Sequence, residues 1–392
     1  MRSVHLTLFM SLSRSIHLQF KERFGEEPFV VIAPGRINLI GEHTDYNDGF
    51  VMPAAVDKHI QFAVSKNESD LFSFYSVDYD KQISFRLDEL KAGGEWINYL
   101  MGVVDGFKQR GFIISGVDCV FGGNIPTGAG MSSSAALCCG FSFALNELFG
   151  CKLTRLDLAH IAQRAEHEFA GVRCGIMDQY ASLFGKTESA LLLDCRSLEH
   201  EYLPFHFHET EVLLIDTKVK HSLASSAYND RRAACEEGVS LLQKKNSSIR
   251  SLRDVTESDL ESIRSLVSPN VFSKCQFVVH EIRRTQIAAN LLKARDLVGF
   301  GKLMFETHWG LSKQYEVSCE ESDLLVALAA EFPKDVLGAR QMGGGFGGCI
   351  INLVRKDAVE KYSLAVRKKY VVTFKKEPDF YSVNFSQGVH TI

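Results

Sequence analysis

The sequence has no apolar run near the ~18 residues that a membrane-spanning helix needs. It also has no basic excess: 44 Lys and Arg stand against 48 Asp and Glu, a formal net charge of −4. General attraction to nucleic acid or to an anionic membrane surface is therefore excluded as a basis for function. The HExxH zinc motif is missing, since His167-Glu168 and His280-Glu281 both lack the second histidine, and no Cys/His spacing suits structural zinc. None of the ten cysteines forms a CxxC pair, and Cys138 and Cys139 are neighbours inside an apolar helical pattern. Reduced, mostly buried thiols in a cytoplasmic protein are expected, not a disulfide framework. There is neither a tandem repeat nor a low-complexity tract. What is present is an ordinary core-forming composition, 45% hydrophobic and 23% charged over 392 residues, long enough for two domains.

Residues 1–10 carry one arginine and a short apolar patch broken by His5 and followed by Ser11, Ser13 and Arg14. A secretory signal requires a longer unbroken apolar core and a small-residue cleavage site. Met10 is a candidate native start, with Met1 the alternative.

Alternation and apolar runs predict strands at 29–33, 50–56, 60–64, 72–77, 82–86 and 117–121. Helices are predicted at 96–109, 132–149 and from a Thr154/Asp157 capping box to 169. The second half opens with a strand at 212–215 and continues with helices at 277–294 and 297–311. Strands are expected at 349–354 and 370–375. Strands and helices mix without a regular βαβ rhythm, which argues for α+β over a doubly wound sheet.

Four segments carry chemistry. In Gly35 to Gly49, Arg36, Glu42, His43, Thr44, Asp45 and Tyr46 lie between an apolar run that Pro34-Gly35 ends and another starting at Phe50. Such a cluster is either a surface turn or the lining of a site for a polyhydroxylated ligand, whose every hydroxyl needs a partner. In the second segment, Gly128-Ala129-Gly130-Met131-Ser132-Ser133-Ser134 joins a strand to a helix. Glycines, a helix N-terminus and three hydroxyls coincide there, which suits an anion such as phosphate, although a serine-capped helix after a flexible loop is the plainer reading. A Walker A loop ending at Gly185-Lys186-Thr187 is excluded because Tyr180 stands at its first glycine, and a Rossmann fingerprint would need glycine at Ser133.

The third segment, Gly343 to Gly348, fits G-x-G-x-x-G but precedes a strand, so the dinucleotide reading fails on context. Packing against the phosphate loop or direct ligand contact would each require such bare backbone. The fourth runs from Glu166 to Gln179. Glu166 and Glu168 close a helix at the end where the macrodipole prefers cations, which fits a solvated surface or a bound metal. Asp178 precedes a short helical run and would serve equally as its N-cap.

These motifs in this order resemble the GHMP small-molecule kinases, and Gly35 to Gly49 resembles the signature of the galactokinases among them. The resemblance extends from about residue 20 through Trp96-Ile97-Asn98-Tyr99, Cys174 to Gln179, Asp194-Cys195-Arg196-Ser197-Leu198, His221 to Tyr228, Glu281 to Arg284, and Tyr315 to Cys319. It implies a two-domain α+β fold, with residues 20–205 resembling domain 2 of ribosomal protein S5, residues 206–392 ferredoxin-like, and the active site in the cleft between them. The implied activity is transfer of the γ-phosphate of ATP to the anomeric hydroxyl of α-D-galactose, the first committed step of the Leloir pathway.

By position, Asp178 and Arg36 would be catalytic. Glu42, His43, Thr44, Asp45, Gly175 and Tyr228 would bind the sugar. Gly128, Ala129, Gly130, Met131, Ser132, Ser133 and Ser134 would cradle ATP, with Ser134 and Glu166 on Mg²⁺ and Trp96 and Tyr99 beside the adenine. A carboxylate paired with a guanidinium is a weak base taken alone, so proton removal and charge balance both stay open for Asp178. The implied partners are galactose and ATP, with no nucleic acid, membrane or obligatory protein partner, and a monomeric state. One departure is that Gln341-Met342 stand where the family often has Met-Thr. Two other readings are a kinase for N-acetylgalactosamine or L-arabinose, and a non-catalytic galactose sensor. Sensor relatives lose residues after the serine loop, whereas Ser134-Ala135-Ala136 and Asp178 are intact here.

Overall fold

The computed structural model describes residues 2–93, 95–219 and 224–392, with side chains from residue 12 onward except at 224–227. Met1, the alternative to Met10 as a start, and residues 221–223 of the His221–Tyr228 element lie outside the described residues.

A six-stranded sheet dominates the first half. It contains β1 (Phe29–Asn38), β3 (Pro53–Lys66), β4 (Leu71–Ser76), β5 (Lys81–Arg86), β6 (Val117–Gly123) and β13 (His390–Thr391), in the order β13-β1-β3-β6-β4-β5. Only the β4–β6 pairing is parallel. Alternation sorts the sheet into two faces. Phe62, Val64, Phe72, Phe74, Cys119 and Phe121 meet helices α2 (Ile97–Gln109), α3 (Ser133–Phe149), α4 (Arg155–Phe169) and α5 (Met177–Phe184). On the opposite face, Ala63, Tyr75 and Val120 pack on Ile16 and Phe20 of α1 (Arg2–Phe24), a helix that the broken apolar pattern did not announce. A small sheet, β2 (Phe50–Val51), β7 (Ser189–Asp194) and β8 (His200–Pro204), adjoins.

The second half holds a four-stranded antiparallel sheet, β10-β11-β9-β12, from β9 (Thr210–Asp216), β10 (Val336–Gln341), β11 (Cys349–Arg355) and β12 (Asp379–Val383). Among the described residues six helices accompany it: α6 (Ala224–Lys245), α7 (Glu257–Ile263), α8 (Pro269–Lys293), α9 (Leu297–Lys313), α10 (Glu320–Ala330) and α11 (Val359–Phe374). One apolar cluster joins the halves: Ile37, Leu39, Met52 and Ala129 of the first touch Ala288, Phe300, Met342 and Ile351 of the second. A division between residues 205 and 206 would fall between β8 and β9, and β13 crosses it. Among the described residues no helix is long and apolar enough to cross a membrane, and all ten cysteines are free.

Three expectations are corrected. Residues 370–375 are not a strand; 370–374 form the last turn of α11, where Tyr362, Val366 and Tyr370 recur every four residues on a buried face, and this packing overrides the β-propensity of Val371-Val372-Thr373. The expected strands at 50–56 and 60–64 are instead the short β2 followed by one long β3, because the polar Asp57-Lys58-His59 run continues the strand without turning it. Pro34-Gly35 does not end β1 either. The ladder shifts register between Pro34 and Arg36 and continues to Asn38. Proline lacks an N–H and is tolerated in a sheet at such a bulge.

Candidate active site

The β1 bulge sets the geometry, since a bulge re-aims the side chains around it. A Cβ on Gly35 would stand 2.7 Å from the carbonyl oxygen of Met131. The missing side chain is thus what lets the serine loop lie against β1, where Arg36 N donates to Met131 O at 3.0 Å. Arg36 is buried, and its guanidinium grips Asp178 with two bonds, Nε to Oδ1 at 2.7 Å and Nη2 to Oδ2 at 2.8 Å. Nη1 donates to the Gly130 carbonyl. Burial works against the Arg36 charge, but Asp178 and then Glu42 outweigh it and hold the group above its ordinary value.

Asp178 is the second residue of α5, not its N-cap, which is Ile176. Its Oδ2 also accepts from Ser132 Oγ, so Oδ2 has two partners and Oδ1 has one. Ser132 itself adopts a left-handed conformation (φ 54°) and its side chain does not cap α3. The plainer reading of the serine loop therefore fails at this residue: the hydroxyl serves Asp178, and the first N–H groups of α3 are left for an anion.

The glycine-rich segment packs directly on this loop. Gly343 lies against Gly130, and Gly348 against Gly128 and Gly130, with no side chain between. Gly343 and Gly344 also line the cavity, so packing and access coexist. Met342, the departure from the family pattern, is buried with Ala129 and Met131. It supports the serine loop through apolar contact where a hydroxyl was expected.

The turn after β1 supplies the polar groups expected to face a polyhydroxylated ligand. Glu42 Oε1 accepts from Arg340 Nη2 and from Gly343 N, both at 2.9 Å. His43 (φ 61°) lies against the rings of Tyr46, Tyr228 and Tyr315, and its Nδ1 meets Tyr46 Oη at 2.7 Å. Burial pushes its pKa down to about 4, so the ring is neutral at pH 7. Asp45 is pushed up to about 7, by burial first and then by Asp178. A Cβ on Gly175 would fall 1.9 Å from Asp45 Oδ2, which shows what this glycine does: it makes room for the Asp45 carboxylate. Thr44 is turned inward, its hydroxyl bonded to the carbonyls of Gly41 and Phe50. It shapes the turn without lining the cavity. Sequence reasoning missed Arg340, Glu281 and Tyr315. Arg340 is wholly buried and also donates to the carbonyls of Asn38, Leu39 and Gln341. Glu281 on α8 accepts from Gly41 N, and Tyr315 bonds Tyr46. Glu281 and Tyr315 lie in elements that the resemblance named without a role.

Two cavities meet at Tyr99, Pro126, Ser133 and Ser134. The inner one, ≈ 400 Å³, is walled by Arg36, Glu42, His43, Asp45, Asp178 and Tyr228. The outer one, ≈ 820 Å³, is lined by Trp96, Asn98, Tyr99, Phe121, Thr127 and Leu137. At their junction Ser134 Oγ donates to Glu166 Oε2 at 3.0 Å, and Gln179 Nε2 donates to Oε1 at 2.6 Å. Glu166 is buried, and burial followed by Asp178 lifts its pKa to about 7. A bound cation would relieve that buried charge. Among the described residues no three His, Cys, Asp or Glu side chains converge as a metal cage. A serine–carboxylate pair beside a loop suited to phosphate fits a cation that keeps its waters and takes further ligands from phosphate.

Residues 18–66 match the galactokinase galactose-binding signature, 98–186 the GHMP kinases N terminal domain and 287–372 the GHMP kinases C terminal domain. The sequence is 42% identical to the galactokinase of Thermotoga neapolitana over 92% of this chain and 99% of that protein. It is 39% identical to the galactokinase of Clostridium acetobutylicum over 93% and 94%. The chain belongs to the galactokinase family of GHMP kinases. Lactococcus lactis galactokinase, solved complexed with galactose, superposes with a TM-score of 0.93 at 34% identity, covering 97% of this chain and 99% of that one. A mevalonate kinase at 17% identity and a TM-score of 0.61 shares the fold alone. The two-domain α+β GHMP fold expected from the sequence is the one present, and membership in an ATP-dependent kinase family implies a divalent metal. Galactokinase membership also gives the sugar turn its context, because Glu42, His43 and Asp45 all lie within the matched galactose-binding signature.

Proposed function

We propose that the enzyme transfers the γ-phosphate of ATP to the anomeric hydroxyl of α-D-galactose, giving α-D-galactose 1-phosphate and ADP. The observation that carries this reading is the position of Asp178, held by Arg36 and Ser132 where the sugar turn meets the serine loop. Galactose occupies the inner cavity against Glu42, His43, Asp45 and Tyr228, and ATP lies along Gly128–Ser134 with its base in the outer cavity beside Trp96 and Tyr99. The anomeric hydroxyl approaches Asp178 Oδ1, the oxygen with the single partner, and gives up or shares its proton there. Arg36 faces the charge that develops between the hydroxyl and the γ-phosphate.

Phosphoryl transfer has a loose transition state, so alignment and preorganised positive charge supply most of the rate. Ser134 and Glu166 would hold Mg²⁺, which supplies charge neutralisation on the phosphates when bound. Two functional units, 20–205 and 206–392, would meet at this cleft in a cytoplasmic monomer.

The test is turnover of ATP over a panel of hexoses and pentoses, with NMR to locate the new phosphate. Galactose phosphorylated at C1 is expected, well ahead of N-acetylgalactosamine and L-arabinose. Absence of turnover with every sugar would leave a binding protein in place of a kinase.

Glu166→Gln should raise the Mg²⁺ concentration for half-maximal rate about tenfold or more, since even indirect support of a metal ligand is worth that much. Removing a buried charge should leave the metal-free melting temperature undiminished. An unchanged Mg²⁺ titration removes Glu166 from the metal site.

A further inference from the structure

The Asp194-Cys195-Arg196 element reaches neither cavity, yet it is the centre of an ion-pair cross. Asp194, at the end of β7, takes both terminal nitrogens of Arg253, with Nη2 to Oδ2 at 2.7 Å. In the opposite sense, Arg196 forks onto Asp254 at 2.7 and 2.9 Å and donates to Ser251 Oγ at 2.8 Å. The two pairs therefore interlock residues 194–196 with the short turn Leu252–Asp254 that precedes α7. Burial works against the Asp254 charge, but Arg196 and the N–H groups of Arg250 and Ser251 outweigh it and hold the carboxyl at about 2. Bidentate forks of this kind fix geometry as well as charge.

What the cross encloses is the exit of the sugar turn. Arg253 Nη1 donates to the Asp48 carbonyl at 3.0 Å, and its guanidinium lies 4.3 Å above the Phe50 ring. Arg196 Nε reaches Asp48 Oδ2 at 3.3 Å, and Cys195 N donates to Gly49 O at 2.9 Å. Asp48 is left-handed (φ 56°). The turn it ends is closed on itself: Asn47 N and Gly49 N both donate to Thr44 O, and Thr44 Oγ1 bonds Phe50 O. A shift at Asp48–Phe50 is thus carried to Thr44 and to its neighbours His43 and Asp45.

We propose that Arg196 and Arg253 are positioning residues for the sugar, holding Asp48–Phe50 so that His43 and Asp45 keep their places on the cavity wall. The proposal rests on the reading that the inner cavity takes galactose. Both arginines are partly exposed (24% and 22%) and lie outside the chemistry, so galactose binding should suffer while the phosphate side is untouched.

The test is galactose affinity by calorimetry without ATP, alongside steady-state kinetics. Arg253→Met should raise the galactose Kd and KM about tenfold, in keeping with the cost of small misplacements. The ATP KM and kcat at saturating galactose should stay within about twofold, a split that fold damage does not produce. Arg253→Lys should recover part of the loss, because one ammonium keeps the charge but cannot bond Asp194 and Asp48 in the same fork. A folded Arg253→Met with wild-type galactose affinity overturns the proposal, as does a parallel rise of both KM values. If Arg253→Met does not fold, wild-type galactose affinity in Arg253→Lys overturns it. Failure of the wild-type protein to bind galactose at all overturns the galactose reading, and the proposal with it.

Discussion

Asparagine in place of Asp178 is expected to lower kcat by roughly 10³-fold or more, the upper part of the range for a positioned acid–base group, while galactose and ATP still bind within a few-fold of wild type. Asparagine is preferred to alanine on structural grounds. Asp178 is the main counter-charge of the buried Arg36, and leaving such a cation unpaired costs about 3–5 kcal/mol in its own right. An N-cap would have cost only ~1 kcal/mol, but Asp178 is not the cap. Asparagine still removes the counter-charge, but it keeps the shape and one oxygen that can accept from Arg36 Nη2 and Ser132, while its amide nitrogen comes to face the Arg36 Nε donor. Part of the cost of unpairing Arg36 therefore remains, less than for alanine. The measurements are single-turnover rate, galactose affinity by calorimetry and melting temperature. A folded variant with a rate within tenfold of wild type would falsify the catalytic assignment.

The second large effect belongs to Arg340. Its guanidinium is fully buried and bonds three carbonyls as well as Glu42. Arg340→Met strips these acceptors of their donor and leaves the buried Glu42 without its cation. Loss of about 3–5 kcal/mol of stability is expected, read from a denaturant midpoint, together with loss of galactose binding. Adding Glu42→Gln should restore part of the stability, since it removes the uncompensated charge, and the non-additivity of the double-mutant cycle measures the pair. An Arg340→Met protein as stable as wild type would show that the pair does not hold the turn.

Local chemistry was legible in the sequence where neighbouring residues make one device. The Thr154/Asp157 capping box forms as written, and Gly128–Ser134 forms a loop to a helix N-terminus. The close packing of 343–348 on that loop was one of two readings. Devices built from distant residues left no such trace. Arg340 and Glu42 are 298 positions apart, and nothing near Arg340 in the chain distinguishes it from any other arginine. The same holds for Arg253 and Asp194, 59 positions apart. Thr44 is a local exception: its hydroxyl bonds the carbonyls of Gly41 and Phe50, three and six residues away, and backbone carbonyls leave no residue-type signal to read. The strand expected at 370–375 failed because β-branched residues describe a preference, whereas burial of Tyr362, Val366 and Tyr370 along one helix face decided the outcome. The bulge at Pro34 was hidden for the opposite reason: proline and glycine together announce a chain reversal, and here they mark an irregularity inside a strand.

Strand β13 bears on how the enzyme is made. Val31 and Ile32 of β1 pair with Thr391 and His390. Just before that pairing, Gly388 N and Val389 N donate to the carbonyls of Gly185 and Ser182 at the end of α5, the helix that carries Asp178. On the ribosome, β1 emerges hundreds of residues before these partners, and at ~5–20 residues per second the interval is some tens of seconds. Throughout it the outer edge of β1 is open, a template for strands of other nascent chains. Crowded overexpression should therefore favour aggregation through this edge, and slower synthesis or a chaperone should improve the yield of active enzyme more than that of total protein.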